Sequence, residues 1–379
     1  MLEQIREKVA DGDRITHEEG LFLLRDADLL DLAPLAQIWR NRHNPEPIVT
    51  YVVDTNLNYT NVCNAYCGFC AFYRPNSDDP SAYTLTVEQI MDKIESAEKQ
   101  GVTTVLMQGG LNDEIPFDYY VELVSETKER FPRVTPHYFS APEIMEMTKV
   151  SGLSIAGVIS RLKDAGQRTM PGGGSEILSE RVKAQVSQLW PKNKVEDWTD
   201  VHLEAHRQGW QTTATMMYGH VETDEDIIES LGHIRDVQIA AEDQPGGFTA
   251  FIPWSYKKTN TALAPKVGHE AGSNRYVRII ALSRIFLDNM PHIQGSWFSD
   301  YRRPGQISLH FGADDFGGTL FDETVMLEAG HYNRTTVDEI KTIISEAGFA
   351  PAQRTTEYEV VERFEPEVST SDRVLESSN

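Results

Sequence analysis

The chain has 379 residues, 40% hydrophobic and 25% charged, the composition of a folded protein long enough for one large barrel or two domains. Fifty-eight acidic against 35 basic residues leave a formal charge of −23, which argues against nucleic acid or an anionic membrane as a partner. No run of about 18 apolar residues occurs, and the N-terminus lacks the apolar stretch of a secretory signal, so no membrane span and a cytoplasmic location are expected.

In chain order, residues 1–45 read as helices. Leu21, Leu24, Leu32 and Leu35 recur at helical spacing among charges, as an N-terminal helical cap on a larger body. From Ile48 onward strands and helices alternate. The strands are expected at 51–53, 103–107, 137–139, 168–170, 212–217, 247–252, 292–294 and 313–315. Thr86 can cap a helix that Gly101 stops, and further helices are expected over 117–131, 195–208, 224–239 and 273–289. Eight strands with intervening helices predict an α/β fold, a (β/α)8 TIM-type barrel over 46–335, with a doubly wound sheet as the alternative. A helix over 337–347 and a strand over 357–361 form a short C-terminal extension, 336–365, expected to pack on the barrel. The Ser- and Glu-rich tail 366–379 is expected to be disordered.

Cys63, Cys67 and Cys70 are the only cysteines, and they lie within eight residues in the pattern CxxxCxxC. Three is odd, so no disulfide framework follows. No His lies between Tyr51 and Gln100 and no fourth Cys exists, which argues against a closed structural zinc site. Asn61, Asn64 and Gly68 mark the segment as a loop, not a core helix with buried thiols. Conventional iron–sulfur clusters take four thiolates, so three would hold a 4Fe-4S cluster with one iron open.

With Phe69 just before the last cysteine, the motif resembles the signature of the radical S-adenosylmethionine (SAM) superfamily. The resemblance implies an open iron that chelates SAM and an electron that cleaves it to methionine and a 5′-deoxyadenosyl radical. Segments 58–63 and 70–74 resemble the branch of menaquinone and deazaflavin-cofactor enzymes. Segments 107–111, 171–178, 212–222, 246–254 and 312–319 resemble, in order, the cyclases of the futalosine route to menaquinone. Departures are plain: Asn64-Ala65-Tyr66 replaces the usual insert between the first cysteines, and Thr215 replaces the first glycine of the adenine segment.

The resemblance implies cofactor contacts from Phe69, from Gln108, Gly109 and Gly110, from Glu176 and Arg181, and from Met217. Leu111 stands where the family's glycine motif carries an acid, so backbone contacts must serve there. The implied substrate is dehypoxanthine futalosine, a ribose-derived sugar joined to a carboxylated aromatic ring. Removal of a ribose hydrogen, addition of the carbon radical to the ring, and loss of an electron and a proton would complete an oxidoreductase reaction that forms a carbon–carbon bond. Glu143, His220, Asp314 and Asp315 are candidates for the proton acceptor, and Arg74 or Arg302 for the substrate carboxylate. A low-potential donor such as flavodoxin or ferredoxin is the implied electron partner. Aminofutalosine synthase shares the expected fold and cofactor. An iron–sulfur electron carrier and a structural zinc protein are the alternatives of other classes.

Overall fold

The first barrel strand has two parts. Ile48–Val52 (β1) and Asp54–Leu57 (β2) follow one another across Val53, and nearly every residue of both is buried. β2 begins a seven-stranded parallel sheet that continues through Thr104–Met107 (β3), Thr135–Tyr138 (β4), Thr169–Met170 (β5), Gln211–Tyr218 (β6), Gly247–Ser255 (β7) and His292–Ile293 (β8). A parallel bridge from Gln294 to Asp315 carries the circuit to Asp315–Gly318 (β9), which pairs in parallel with β1. Counting β1 and β2 as one, eight strands close the expected barrel. The computed structural model describes residues 1–189 and 192–364. The tail expected over 366–379 lies outside the described residues.

Each expected helix forms, with ends shifted by a few residues. Thr86 caps Val87–Glu98 in a reciprocal box with Gln89, and Phe117–Arg130, Val195–Arg207, Asp224–Ala240 and Ser273–Phe286 follow between strands. Two further helices, Ala141–Ser151 and Ile155–Ala165, separate β4 from β5. Their signals are in the sequence: Ser140 caps the first with Glu143 three residues on, and Gly152 ends it with φ 71°. At the N-terminus, His17–Arg25 and Leu29–His43 pack onto the outer helices and Leu2–Asp11 packs on Leu29–His43, with Ile5, Leu23 and Leu32 fully buried. Burying each such side chain stabilises by about 1.5–3 kcal/mol.

The other end of the chain enters the barrel. Ala350–Arg354 (β10) pairs in parallel with β1 on the edge opposite β9, and Val360–Arg363 (β11) returns antiparallel to it. β10 therefore stands beside β1 where β3 stands beside β2, at the N-terminal ends of the strands. This seats Arg354, Thr356 and Tyr358 in the floor of the barrel.

Adjacent residues in a strand face opposite ways, and the two acids at 314 and 315 show it. Asp315 points inward and takes a bidentate pair from Arg354 (Nε–Oδ2 2.5 Å, Nη2–Oδ1 3.0 Å) and a bond from Thr50 Oγ1. Asp314 points outward and binds Arg284, His292 Nδ1 at 2.5 Å and Asn44 Nδ2 at 2.8 Å. Burial would raise the Asp314 carboxyl, but Arg284 and His292 bring it down to about 2. Both acids tie the barrel together, and neither lines its cavity.

Candidate active site

The cysteine loop leaves the top of β2. It is held by its own backbone: Cys63 N donates to Arg74 O at 2.9 Å and Gly68 N to Val186 O at 2.7 Å. Arg74 Nη1 donates to the carbonyls of Ala71, Phe72 and Tyr73, so this arginine clamps the loop and is not among the cavity residues. Gly110 passes so close beneath the loop that a Cβ there would strike the carbonyl of Val62 and the side chain of Cys63. The glycines after β3 therefore seat the cysteine loop, a steric need the sequence indicated without naming its partner.

All three cysteines open on one cavity of about 360 Å³ that runs down to Arg354 and Tyr358. Its walls come from alternate residues of the strands: Asp54, Asn56 and Asn58 from β2 and its end, Thr104, Leu106 and Gln108 from β3, His137 from β4, Thr213, Thr215 and Met217 from β6. Branched apolar residues usually fill this space in such barrels. Here Asn, Thr and His take their places, which makes the interior a binding chamber.

Cys67 is buried, and burial pushes its thiol up to about 12; burial also raises Cys70. Metal loading would therefore release protons. Lys192 lies against the same wall, its Nζ 3.7 Å from Glu176 Oε1 and 5.7 Å from the centre of the Phe69 ring. Burial opposes its charge, but negative charge on Cys67, once it is a thiolate, and on Glu176 outweighs that and raises the ammonium. Sequence reasoning missed Lys192, because a lysine in an irregular segment carries no signal of its own. Among the described residues, no three Cys, His, Asp or Glu side chains stand close enough for one metal ion. Three thiols spread over one wall beside a buried cation suit a multi-iron cluster better than a closed tetrahedral zinc.

Of the predicted cofactor residues, Phe69, Gln108, Gly109, Gly110, Glu176 and Met217 line the cavity. Arg181 does not; it turns outward to Asp226. Glu143 lines the cavity, but four donors occupy its oxygens: Tyr59 Oη at 2.7 Å and Gly109 N at 2.9 Å on Oε1, Ser140 N at 2.7 Å and Ser140 Oγ at 2.5 Å on Oε2. His220 is turned into its own loop, donating from Nε2 to Met217 O and accepting from Val221 N. Arg302 binds Arg334 O and Glu339 on the outside. Thus His220, Asp314, Asp315, Arg74, Arg181 and Arg302 are not brought to the chamber. His137, Lys257, Arg354 and Tyr358, which the sequence did not single out, are.

Fold and site together define an α/β barrel whose polar chamber opens at three cysteines. Residues 57–234 match the radical SAM superfamily, and residues 245–367 match the C-terminal region described as CofH/MqnC. The chain is 37% identical to a cyclic dehypoxanthine futalosine synthase of Halalkalibacterium halodurans, over 99% of this chain and 100% of that protein. It is 38% identical to a 5-amino-6-(D-ribitylamino)uracil–L-tyrosine 4-hydroxyphenyl transferase of Methanopyrus kandleri, over 83% of this chain and 85% of that one. In fold it is similar to the crystal structure of methylornithine synthase (TM-score 0.70, 16% identity, 92% of this chain and 97% of that one). The chain belongs to the radical SAM superfamily and, within it, to the CofH/MqnC family.

Proposed function

We propose that the chain is a radical SAM oxidoreductase that closes dehypoxanthine futalosine to its cyclic form in menaquinone biosynthesis. One observation carries the reading: a single chamber joins the three cysteines to a polar barrel interior. The full-length match to a cyclase supports it further.

When bound, a 4Fe-4S cluster and SAM supply a 5′-deoxyadenosyl radical. Cys63, Cys67 and Cys70 would hold the cluster. Phe69 and Met217 would flank the adenine, the backbone at 108–110 would meet the amino group, and Glu176 with Lys192 would bind the remaining polar groups. In this reading Lys192 takes the cationic place that the resemblance gave to Arg181. Lys257, whose Nζ donates to Ser255 Oγ at 3.0 Å, is the cavity cation available to the substrate carboxylate. The closed strand circuit keeps bulk water from the reacting atoms and fixes the sugar C–H toward the rim. Glu143 serves as a clamp that joins Tyr59, the glycine turn and the Ser140 cap. A reducing cytoplasm suits the partly exposed thiols, and flavodoxin or ferredoxin is the class of electron donor the reading requires.

The test is anaerobic. The reconstituted, reduced enzyme is given SAM with dehypoxanthine futalosine, or with 5-amino-6-(D-ribitylamino)uracil and tyrosine, and products are followed by mass. Deoxyadenosine with a product two hydrogens lighter than dehypoxanthine futalosine supports the cyclase. Product only from the second pair would replace it with the transferase. A reduced cluster whose spectrum ignores SAM would point to electron transfer.

A further inference from the structure

The lower half of the chamber carries buried polar groups with nothing to bind. His137 of β4 is 9% exposed and makes no side-chain hydrogen bond among the described residues, and its Nδ1 is sealed from solvent. Asn56 of β2 is also 9% exposed, with Oδ1 buried and unpaired. The Tyr358 hydroxyl is buried and unpaired too, although its ring is fixed between Arg354, 3.8 Å above it, and His292, stacked at 4.0 Å. All three residues line the cavity. Folded proteins rarely leave such groups unsatisfied, and three lining one cavity point to a ligand that satisfies them.

The charges select the ligand. Arg354 is committed to Asp315 by its bidentate pair. Asp54 accepts from Leu320 N at 2.8 Å and is buried, with its carboxyl raised to about 6 by that burial. His137 is held neutral, down to about 3, by burial and by the Arg354 charge. The groups left without partners there, His137, Asn56 and Tyr358, are thus a neutral donor and acceptor set. The two cavity lysines, Lys192 and Lys257, stand at the other end, by the cysteines and after β7. A carboxylate fits the lysine end, and hydroxyl groups fit the floor.

We infer that His137, Asn56 and Tyr358 form a subsite for the hydroxylated sugar of the substrate, with the C-terminal hairpin supplying one of its walls. The assignment rests on the proposed function for the identity of that sugar. The neighbouring Thr104–Thr356 hydroxyl pair, 2.7 Å apart, continues the same polar surface. The arrangement turns the sugar hydroxyls to the floor, leaves a sugar C–H facing the rim, and sets the aromatic acid to the side by Lys257. It also makes residues 350–358 part of substrate binding.

The test compares two probes on the reconstituted holoenzyme under anaerobic conditions: dehypoxanthine futalosine, and a 3-acylbenzoate that lacks the sugar. Tyr358→Phe and Asn56→Leu should each weaken binding of the first roughly 3- to 10-fold and leave the second unchanged, with the SAM-induced change in the cluster spectrum intact. His137→Leu should weaken it more, because a desolvated hydroxyl then faces an apolar wall. Should that variant fail to fold, Tyr358→Phe still decides. Equal weakening of both probes, no weakening of either, or loss confined to the acylbenzoate would overturn the subsite. If the wild type binds no dehypoxanthine futalosine, the cyclase reading fails separately, and the variants are repeated with 5-amino-6-(D-ribitylamino)uracil. Its ribityl hydroxyls should show the same selective loss, and the absence of that loss would overturn the subsite.

Discussion

The rim and the floor of this barrel are built in opposite ways. The rim comes from neighbours in sequence: three cysteines within eight residues, the glycine turn after β3 and the glycine run after β5, all placed by backbone contacts. The floor comes from residues spread over about 300 positions, Asn56, His137, Arg354 and Tyr358, with Arg354 fixed by its side-chain ion pair to Asp315. The difference separates two kinds of damage. Changes at the rim should remove chemistry and spare the fold, while changes at the floor should weaken the fold or the substrate and spare the cofactor.

The largest effect should come from Gly110→Ala, because the added methyl has no place beside the Val62 carbonyl. Iron and sulfide content after reconstitution, and deoxyadenosine formation, should fall to background while the circular dichroism stays that of the wild type. Retention of a full cluster would show that the loop can move away at little cost. At the floor, Arg354→Met leaves the buried Asp315 without its cation. We expect a loss of about 3–5 kcal/mol in chemical denaturation, with the reconstituted cluster still responding to SAM.

Acid should act on the walls before it acts on the rim. Burial pushes His206 down to about 4 and, with the Arg354 charge, His137 to about 3. In the unfolded chain both titrate near pH 6.5. A depressed folded value means that their stabilising effect is complete above about pH 6.5 and is lost as pH falls toward 4 and then 3. Stability should therefore drop by about 3–5 kcal/mol per histidine over that window, and His206→Gln should flatten the profile. An unchanged stability down to pH 4 would contradict the buried, neutral state.

Glu143 separates a clamp from a base. A glutamine there sets its amide N–H groups against donors that now bind an oxygen. Glu143→Gln should cost about 1–3 kcal/mol in stability and lower deoxyadenosine and product together. Loss of product with undiminished deoxyadenosine would make Glu143 the proton acceptor instead. The smallest effect should be that of Arg181→Ala: affinity for SAM, read from the cluster spectrum, should change less than about 2-fold, because the guanidinium is turned away from the chamber to Asp226. A large loss would return Arg181 to the cofactor.

How legible each region was follows from the same contrast. The eight strands announced themselves by their regular alternation with helical segments, and the rim by residue types whose spacing has few other uses. β10 was missed because Ala350-Pro351-Ala352-Gln353-Arg354 has little strand character of its own and is made a strand by pairing with β1. Asp314 and Asp315 looked like candidate bases because two adjacent acids after a strand carry no mark of their partners. Arg284 and Arg354, 30 and 39 positions away, turn them into cross-links. Lys192 and His137 are single residues whose importance comes only from what surrounds them.

The central claim is that rim and floor share one chamber, so that a radical formed at the cysteines reaches the sugar held below. Incubation of the reduced holoenzyme with SAM and dehypoxanthine futalosine deuterated in its sugar tests this directly, with the deoxyadenosine read by mass spectrometry. Transfer of one deuterium into deoxyadenosine, together with the cyclic product, is the predicted result. Deuterium-free deoxyadenosine beside that product would contradict the account.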